Sequence, residues 1–211
     1  QACYHKTPVN YWMHTNMLTV NGVRMSKSAG NGFLPGELFT GNHPLLEKGY
    51  KPMAVKFFML QTHYRSTLDF SNEALQASEK AFKRLWESHE LLQKISVADQ
   101  PEAVDIALQE KISGWLNELE AFMDDDFSTP KVLANLFELA PVINSVKGGQ
   151  IAAGAIAPTI WLRLQAAFKL YLEDIFGLQA MDATNNETLQ GVMDLLIDIR
   201  RDPRSKKDFA T

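Results

Sequence analysis

Residues 17–25 read Met-Leu-Thr-Val-Asn-Gly-Val-Arg-Met, and this stretch decides how the first part of the chain folds. Asn21-Gly22 separates two apolar arms. Asn and Gly both tolerate the positive φ angles that the two central residues of a type I′ turn require. The pattern therefore predicts an antiparallel hairpin. Before it, the aromatic and β-branched residues 9–14 follow Pro8 and predict a further strand.

A polar stretch of small residues follows the hairpin. Residues 26–32 read Ser-Lys-Ser-Ala-Gly-Asn-Gly, which predicts a flexible loop rather than a regular element. Pro35 then begins a short helix that ends within residues 41–44, Gly-Asn-His-Pro. Pro52 begins another helix, which we expect to extend to about Tyr64.

Beyond residue 70, the apolar residues recur with a helical period. Ser71 is the expected N-cap of the first helix, and a break at residues 99–101 precedes the second. Thr129-Pro130 is the expected N-cap and first helical residue of a third helix. These stripes predict an antiparallel helical bundle, so the predicted fold class is mainly α.

The predicted helices also have expected ends and core residues. The third helix should end at Gly148-Gly149, the fourth should end at Gly177, and a last helix should span about 187–201. Three tryptophans fall within apolar helical faces and are expected in the core: Trp86, Trp115 and Trp161.

Composition excludes several classes of protein. Hydrophobic residues make up 45% of the chain, yet no apolar run approaches the ~20 residues that a membrane helix needs. The single cysteine, Cys3, excludes an internal disulfide framework and is typical of a cytoplasmic protein. The net charge of −4 means that a nucleic-acid partner would need a local basic patch.

The segment that carries chemistry is Arg24-Met25-Ser26-Lys27-Ser28, followed by Gly30-Asn31; we call residues 24–31 the lysine loop. Two hydroxyls, small residues and one central lysine suit a mobile loop that approaches a triphosphate. The alternative is an ordinary surface turn after a hairpin. The pattern is similar to the Lys-Met-Ser-Lys-Ser signature of class I aminoacyl-tRNA synthetases, with Arg24 in place of the first lysine.

Neighbouring segments make the resemblance more specific. Residues 11–14 (Tyr-Trp-Met-His), 63–66 (His-Tyr-Arg-Ser) and 123–130 (Met-Asp-Asp-Asp-Phe-Ser-Thr-Pro) flank the lysine loop in the order found in cysteinyl-tRNA synthetases. The resemblance covers nearly the whole chain.

This resemblance implies a division into four regions. Residues 1–50 would be the C-terminal end of a Rossmann-like class I catalytic domain, with short strands, the hairpin and the lysine loop. Residues 51–98 would be stem helices, and residues 99–180 a tRNA-binding helical bundle. Residues 181–211 would begin an anticodon-proximal region.

The implied activity is that of a cysteine–tRNA ligase, which uses ATP and Mg²⁺ to activate cysteine and then transfers it to tRNA-Cys. Lys27 would be the catalytic residue, and Arg24 to Ser28 the ATP-binding loop. The resemblance also implies a C-terminal fragment that lacks the upstream half of the active site. Zinc is expected upstream and none within the chain, and we expect the fragment alone to be inactive and monomeric.

Two other functions stay open. One is a cysteine-adenylating ligase of thiol biosynthesis, whose catalytic domain is closely related. The other is a noncatalytic tRNA-binding helical module.

Several further residues have two readings each. Asp124-Asp125-Asp126 suggests Mg²⁺, but successive helical residues point ~100° apart, so we expect a structural junction. His14 either faces ligand or packs in the core. Cys3 is expected to be an inert thiol rather than a metal ligand.

Arginine and lysine residues supply candidate tRNA contacts. Arg65 would meet tRNA, brace the lysine loop or neutralise the dipole of the Pro52 helix. The basic tail would contact phosphates in a salt-sensitive manner, or form a solvated helix end. The candidate tRNA-binding residues are Arg65, Arg200, Arg201, Arg204, Lys206 and Lys207.

Overall fold

The computed structural model describes residues 9–95 and 104–181. By its internal contacts the chain divides into one unit, Gln1–Leu178, and a second, Gln179–Thr211. Four sequence predictions lie outside the described residues: the Cys3 thiol, the break at 99–101, the helix at 187–201 and the basic tail.

The hairpin forms as predicted. Strand β1 (Leu18–Val20) pairs antiparallel with β2 (Val23–Arg24), and Val20 lies opposite Val23. The turn residues Asn21 and Gly22 have φ angles of 50° and 75°. Both central residues therefore have the positive φ that a type I′ turn requires, which is why Asn-Gly occurs here.

A third strand, which no local sequence pattern predicted, completes the sheet. Strand β3 (Leu68–Phe70) pairs parallel with β1, so the strand order is β2-β1-β3. The Asp69 carboxylate accepts hydrogen bonds from Thr19 Oγ1 (2.6 Å) and Gly22 N (2.8 Å). The third strand therefore holds the hairpin turn as well as the strand beside it.

The strand predicted at residues 9–14 is wrong. This segment forms no regular element, and Tyr11, Trp12 and Met13 are 89%, 70% and 59% exposed. Aromatic residues favour strands only when a neighbouring strand and a packed face are present, and no described strand pairs with this segment. The first backbone anchor is Asn16 N, which donates to Tyr64 O at 3.0 Å.

Two short helices connect the hairpin to β3. Helix α1 spans Pro35–Thr40 and helix α2 spans Pro52–Leu60, each with proline in its first turn as predicted. Helix α2 ends at Leu60 rather than near Tyr64. The carbonyl of Leu60 is taken by the hydroxyl of Thr129, which donates to it at 2.7 Å.

An apolar cluster joins the sheet to these helices. Met25 and Phe33, on either side of the tip of the lysine loop, pack against it. Its buried members are Val20, Leu38, Tyr50, Val55, Phe58, Phe70 and Leu75. Both ends of the lysine loop are therefore anchored to the core of the first part of the chain.

The rest of the described chain is helical, and we call it the helical part. It consists of α3 (Asn72–Lys94), α4 (Ile106–Asp124), α5 (Thr129–Lys147), a 3₁₀ turn (Ala153–Ala155), α6 (Pro158–Phe168) and a π-helical segment (Lys169–Ile175). Helix α5 ends before Gly148, as predicted. None of the described helices combines the length and apolar character needed to cross a bilayer.

The predicted caps are partly confirmed. Ser71 Oγ accepts a hydrogen bond from Ala74 N at 3.2 Å, so it caps α3 as expected. The N-cap of α5 is Ser128 rather than Thr129. Thr129 is the first residue of the helix, and its hydroxyl donates to Leu60 O instead of capping its own helix.

The tryptophan predictions hold for one residue of three. Trp161 is 2% exposed and lies in the core of the helical part. Trp86 and Trp115 are only half-buried. Trp86 Nε1 donates to Glu90 Oε1 at 2.9 Å, and Lys111 Nζ lies 4.9 Å from the ring centre of Trp115. Both rings therefore have a polar side at the rim of the core.

Gly49→Ala should destabilise the protein by about 1–3 kcal/mol, because the added methyl group has no space. A Cβ at Gly49 would lie 2.3 Å from the carbonyl oxygen of Phe39, a backbone atom that cannot rotate away. Urea unfolding measures the change. Gly36→Ala is the control, since a Cβ there meets nothing within 4 Å. Equal stability of the two variants would contradict the prediction.

Candidate functional site

The lysine loop begins where β2 ends. Met25 N donates to Leu18 O at 3.0 Å, so the hairpin hydrogen bonds continue one residue beyond Arg24. The side chain of Met25 packs against the apolar cluster, whereas Arg24 is exposed. The base of the loop is therefore fixed by both a backbone bond and a buried side chain.

Asn31 closes the loop. Its side chain is almost fully buried, and its Oδ1 accepts from Ser26 N at 2.9 Å. Its Nδ2 donates to the carbonyls of Arg24 (3.2 Å) and Val23 (3.4 Å). One amide thus ties the far end of the loop to its beginning, and a buried polar side chain with satisfied partners gives a single geometry.

The tip of the loop is a compact turn. Ser26 Oγ accepts from Ala29 N at 3.2 Å and lies 3.3 Å from Ser28 Oγ. Gly30 N donates to Lys27 O at 3.2 Å, and Gly30 has a φ of 63°. Lys27 and Ser28 are exposed, and among the described residues no carboxylate pairs with Lys27. The loop therefore presents an unneutralised ammonium group on a well-held turn.

A second constellation joins the α4–α5 turn to the segment after α2. Tyr64 Oη donates to Asp126 Oδ1. Arg65 donates from Nε to Oδ2 at 2.5 Å and from Nη2 to Oδ1 at 3.2 Å. His63 Nε2 lies 3.0 Å from the carbonyl oxygen of Asp126. We call Asp126 with these three residues the aspartate clamp.

The backbone under the clamp is in an unusual conformation. Asp126 and Phe127 have φ angles of 61° and 54°. For residues with a side chain the left-handed region costs roughly 1–2 kcal/mol each. The turn therefore depends on partners that hold it, and the clamp supplies them.

The clamp also reaches the chain that enters the hairpin. Asn16 N donates to Tyr64 O at 3.0 Å, and Asn16 Nδ2 donates to Arg65 O at 2.8 Å. Residues 64–65 thus bind Asp126 through their side chains and Asn16 through their carbonyls. These hydrogen bonds connect the clamp to the segment that precedes β1.

This geometry corrects one premise of the sequence prediction for the acidic triplet, residues 124–126. The acidic triplet is not a run of helical residues, because α4 ends at Asp124, Asp125 is its C-cap, and Asp126 turns away with a positive φ. Within residues 9–95 and 104–181, no group of His, Cys, Asp or Glu is arranged to hold a metal ion. The structural-junction reading of the triplet fits Asp126, whose carboxylate is fully engaged by Tyr64 and Arg65.

The structure also excludes one of the expected roles of Arg65 and one of the two expected positions of His14. Arg65 does not neutralise the dipole of α2, because that helix ends at Leu60 and the guanidinium binds Asp126. A contact between Arg65 and tRNA stays a prediction. His14 is exposed and its ring lies 6.3 Å from that of Trp12, so the core reading of His14 is wrong.

A largely apolar cleft of about 490 Å³ lies beside the clamp. Its exposed apolar residues include Met13, Met59 and Phe127, which are 59%, 46% and 54% exposed. The polar groups of its lining include His63 and Tyr64 of the clamp. The cleft runs between the segment that precedes β1 and the beginning of α5.

The clamp shifts the proton affinities of its members. The hydrogen bond from Arg65, and then the one from Tyr64, lowers the pKa of Asp126 below its ordinary value of 3.8. The hydrogen bond that Tyr64 donates to Asp126 raises the pKa of the Tyr64 hydroxyl. The hydrogen bond to Asp126 also raises the pKa of Arg65. These directions describe a charged carboxylate held between two donors.

Asp126 should make the free energy of unfolding depend on pH in acid. A depressed pKa in the folded state stabilises the protein above the unfolded pKa, here 3.8, and this contribution is lost as pH falls through the lower folded pKa. The stability difference between the protein and Asp126→Asn should therefore be constant near neutral pH and shrink in acid. Urea titrations at a series of pH values, from neutral into acid below the unfolded value of 3.8, measure it. A difference that is independent of pH would contradict the prediction.

Five of the six candidate tRNA-binding residues lie outside the described residues, and their role stays a prediction: Arg200, Arg201, Arg204, Lys206 and Lys207. For the sixth, Arg65, the side chain remains 65% exposed while it pairs with Asp126.

Comparison with known proteins gives two family matches. The sequence model of the tRNA synthetases class I (C) catalytic domain matches residues 1–80, which contain the lysine loop, β3 and the clamp residues 63–65. The model of the DALR domain matches residues 118–180, which contain Asp126. The clamp therefore joins residues of two different family domains.

Curated relatives match nearly the whole chain. A cysteine–tRNA ligase of Porphyromonas gingivalis is 41% identical over 206 residues, which is 96% of this chain and 40% of the relative. One of Bacteroides thetaiotaomicron is 42% identical over 211 residues, with the same shares. One of Deinococcus radiodurans is 34% identical over 208 residues, 95% of this chain and 39% of the relative.

The chain thus spans about 40% of the length of the curated relatives that it matches. Residues 1–80 match the class I (C) tRNA synthetase catalytic domain and residues 118–180 match the DALR domain, and the chain as a whole is similar to cysteine–tRNA ligases.

Proposed function

We propose that this chain is part of a cysteine–tRNA ligase, which activates cysteine with ATP and transfers it to tRNA-Cys. The observation that carries the proposal is Lys27, which is exposed and has no carboxylate partner among the described residues. It lies on a loop that Asn31 and Met25 hold in place. That loop lies within the part of the chain that matches a class I synthetase catalytic domain.

The chemistry of activation needs a cation at this place. The carboxylate of cysteine attacks the α-phosphate of ATP, the bond to the bridging oxygen breaks, and negative charge moves onto pyrophosphate. The ammonium group of Lys27 beside these oxygens stabilises the transition state more than the ground state, which accelerates the step. The hydroxyls of Ser26 and Ser28 would donate hydrogen bonds to the same phosphates.

Mg²⁺ would neutralise part of the triphosphate charge in this reaction, bound mainly through phosphate oxygens as this cation prefers. The described residues contain no cluster of metal-binding side chains. Lys27 and the loop hydroxyls are the groups of this chain that would contact the phosphates.

The chain would divide into the four regions that the family resemblance implies. Residues 1–50 would close a Rossmann-like sheet, residues 51–98 form the stem, residues 99–180 form a tRNA-binding bundle, and residues 181–211 begin an anticodon-proximal region. The parallel pairing of β1 with β3 supports a Rossmann-like arrangement, because a parallel pair needs a crossover and α1 and α2 lie in that connection. Since β3 lies at residues 68–70, this arrangement would extend past residue 50 into the proposed stem region. The protein would act in the cytoplasm as a monomer.

The two rival functions are less well supported. A cysteine-adenylating ligase of thiol biosynthesis would use the same lysine loop, but the reported relatives are all cysteine–tRNA ligases and the match extends through the helical part. A noncatalytic tRNA-binding module leaves the exposed Lys27 and the buried Asn31 that supports its loop without a purpose.

Lys27→Ala should lower the rate of cysteine activation by about 100- to 1,000-fold in the protein that contains this chain. The charge acts only as pyrophosphate charge develops, and the side chain is exposed, so the unfolding temperature should hardly change. Cysteine-dependent ATP–pyrophosphate exchange measures the rate. An exchange rate within about twofold of the unmodified protein would rule out the assignment of Lys27.

Arg24→Lys is the matched conservative change in the same loop. It keeps the positive charge and restores the residue found in the family signature, so exchange should be almost unchanged. A large loss would mean that Arg24 makes a bidentate contact that lysine cannot replace.

Asn31→Ala should lower exchange by about 10- to 100-fold, because the loop loses the amide that fixes its ends and Lys27 is no longer held in one position. The same variant should be less stable by about 1–3 kcal/mol, since the carbonyl of Arg24 and the N–H of Ser26 lose their partner. Asn42→Ala, at an exposed asparagine, is the control for both measurements. Full exchange activity in Asn31→Ala would show that the loop needs no such support.

A further inference from the structure

The aspartate clamp joins residues 64–65, in the part that matches the catalytic domain, to Asp126, in the part that matches the DALR domain. We infer that Asp126 is a positioning residue, which fixes the helical part relative to the lysine loop so that bound tRNA is presented to the site of cysteine transfer. The inference rests on the proposed function. It assigns a role to the α4–α5 turn, which lies apart from the loop that acts on ATP.

The first step is the direction of the contacts. Asp126 belongs to the helical part, whereas Tyr64 and Arg65 follow α2 in the first part of the chain. Both partners donate to the Asp126 carboxylate, and Arg65 does so with two nitrogens. A two-nitrogen contact fixes the angle between its partners as well as their distance. The clamp therefore sets an orientation.

The second step is the connection to the hairpin. The carbonyls of Tyr64 and Arg65 accept hydrogen bonds from Asn16, which lies just before β1. Leu18 of β1 in turn accepts from Met25 at the base of the lysine loop. Hydrogen bonds at residues 64–65 and at Leu18, joined by the short covalent segment from Asn16 to Leu18, thus lead from Asp126 to the base of the loop.

The third step is that the two parts stay attached without the clamp. Thr129 Oγ1 donates to Leu60 O at 2.7 Å. Phe57 of α2 is fully buried, and its ring lies 5.1 Å from Phe82 and 6.2 Å from Phe137. Loss of the Asp126 charge should therefore loosen the orientation at one edge, while the apolar contact keeps the parts together.

The fourth step separates the two half-reactions. Cysteine activation uses the lysine loop, which the apolar cluster and Asn31 hold independently of Asp126. Transfer needs tRNA as well, and a tRNA bound by the helical part reaches the loop only if the angle between the two is correct. A small misplacement of reacting groups is enough to slow such a step strongly.

The test uses Asp126→Asn in the protein that contains this chain. Asparagine keeps the shape and tolerates a positive φ, but it removes the charge that Arg65 and Tyr64 bind. We expect ATP–pyrophosphate exchange within about twofold of the unmodified protein, and kcat/KM for tRNA in aminoacylation lower by about tenfold or more. A ratio of the two activities distinguishes this role from general destabilisation, which would lower both.

Asp125→Asn is the matched control. It is the same change at the neighbouring residue, whose carboxylate is 73% exposed and pairs only with Lys131 among the described residues. Both activities should be unchanged in this variant. Tyr64→Phe supplies a second variant, which keeps the ring but removes the hydroxyl that donates to Asp126, and it should lower aminoacylation and spare exchange in the same way.

Three results would overturn the inference. The first is unchanged aminoacylation in Asp126→Asn, and the second is an equal loss of exchange and aminoacylation. The third is an equal effect of Asp125→Asn. If the unmodified protein shows no cysteine-dependent exchange, the proposed function itself fails and the inference falls with it, and that result is visible before any variant is made.

Discussion

The pairing of β1 with β3 is the contact on which the other features depend. It brings residues 16–25 beside residues 64–70, although they are far apart in the sequence. The Asp69 carboxylate strengthens the pairing through Thr19 and the turn. Without it the hairpin would be an isolated two-stranded unit, which is marginal in water. With it, the lysine loop has a rigid base, and Asn16 lies within reach of the segment that binds Asp126.

Two kinds of support therefore meet in the first part of the chain. The lysine loop is held from inside by buried groups, because Met25 packs on the apolar cluster and Asn31 bonds to the backbone. The aspartate clamp is a partly exposed ionic contact, and such contacts are sensitive to pH and to the exact arrangement of their partners. The lysine loop is thus held by buried groups, while one edge of the contact between the first part of the chain and the helical part is held by the carboxylate of Asp126.

Local patterns predicted the hairpin, the helix starts at Pro35, Pro52 and Ser71, and the lysine loop, because each depends on residues close together in sequence. The features that local patterns did not predict depend on contacts between residues that are far apart in the sequence. Strand β3 is short, and its partner strand precedes it by about fifty residues, so no local period indicates it. The strand at 9–14 was predicted from side chains that favour strands, but no described strand pairs with it. Arg65 was placed near a helix end because its true partner, Asp126, lies in a different domain.

The way Asn31 closes the lysine loop limits which changes the loop tolerates. Its side-chain amide bonds to Ser26 N and to the carbonyl of Arg24, both at the beginning of the loop. The number of residues between Ser26 and Asn31 is therefore fixed by the span of one side chain. An insertion or deletion between residues 27 and 30 would break the closure. A substitution at the exposed Ala29 would leave it intact, since only the backbone of that residue takes part. Related loops should therefore vary in sequence at this position while keeping the same length.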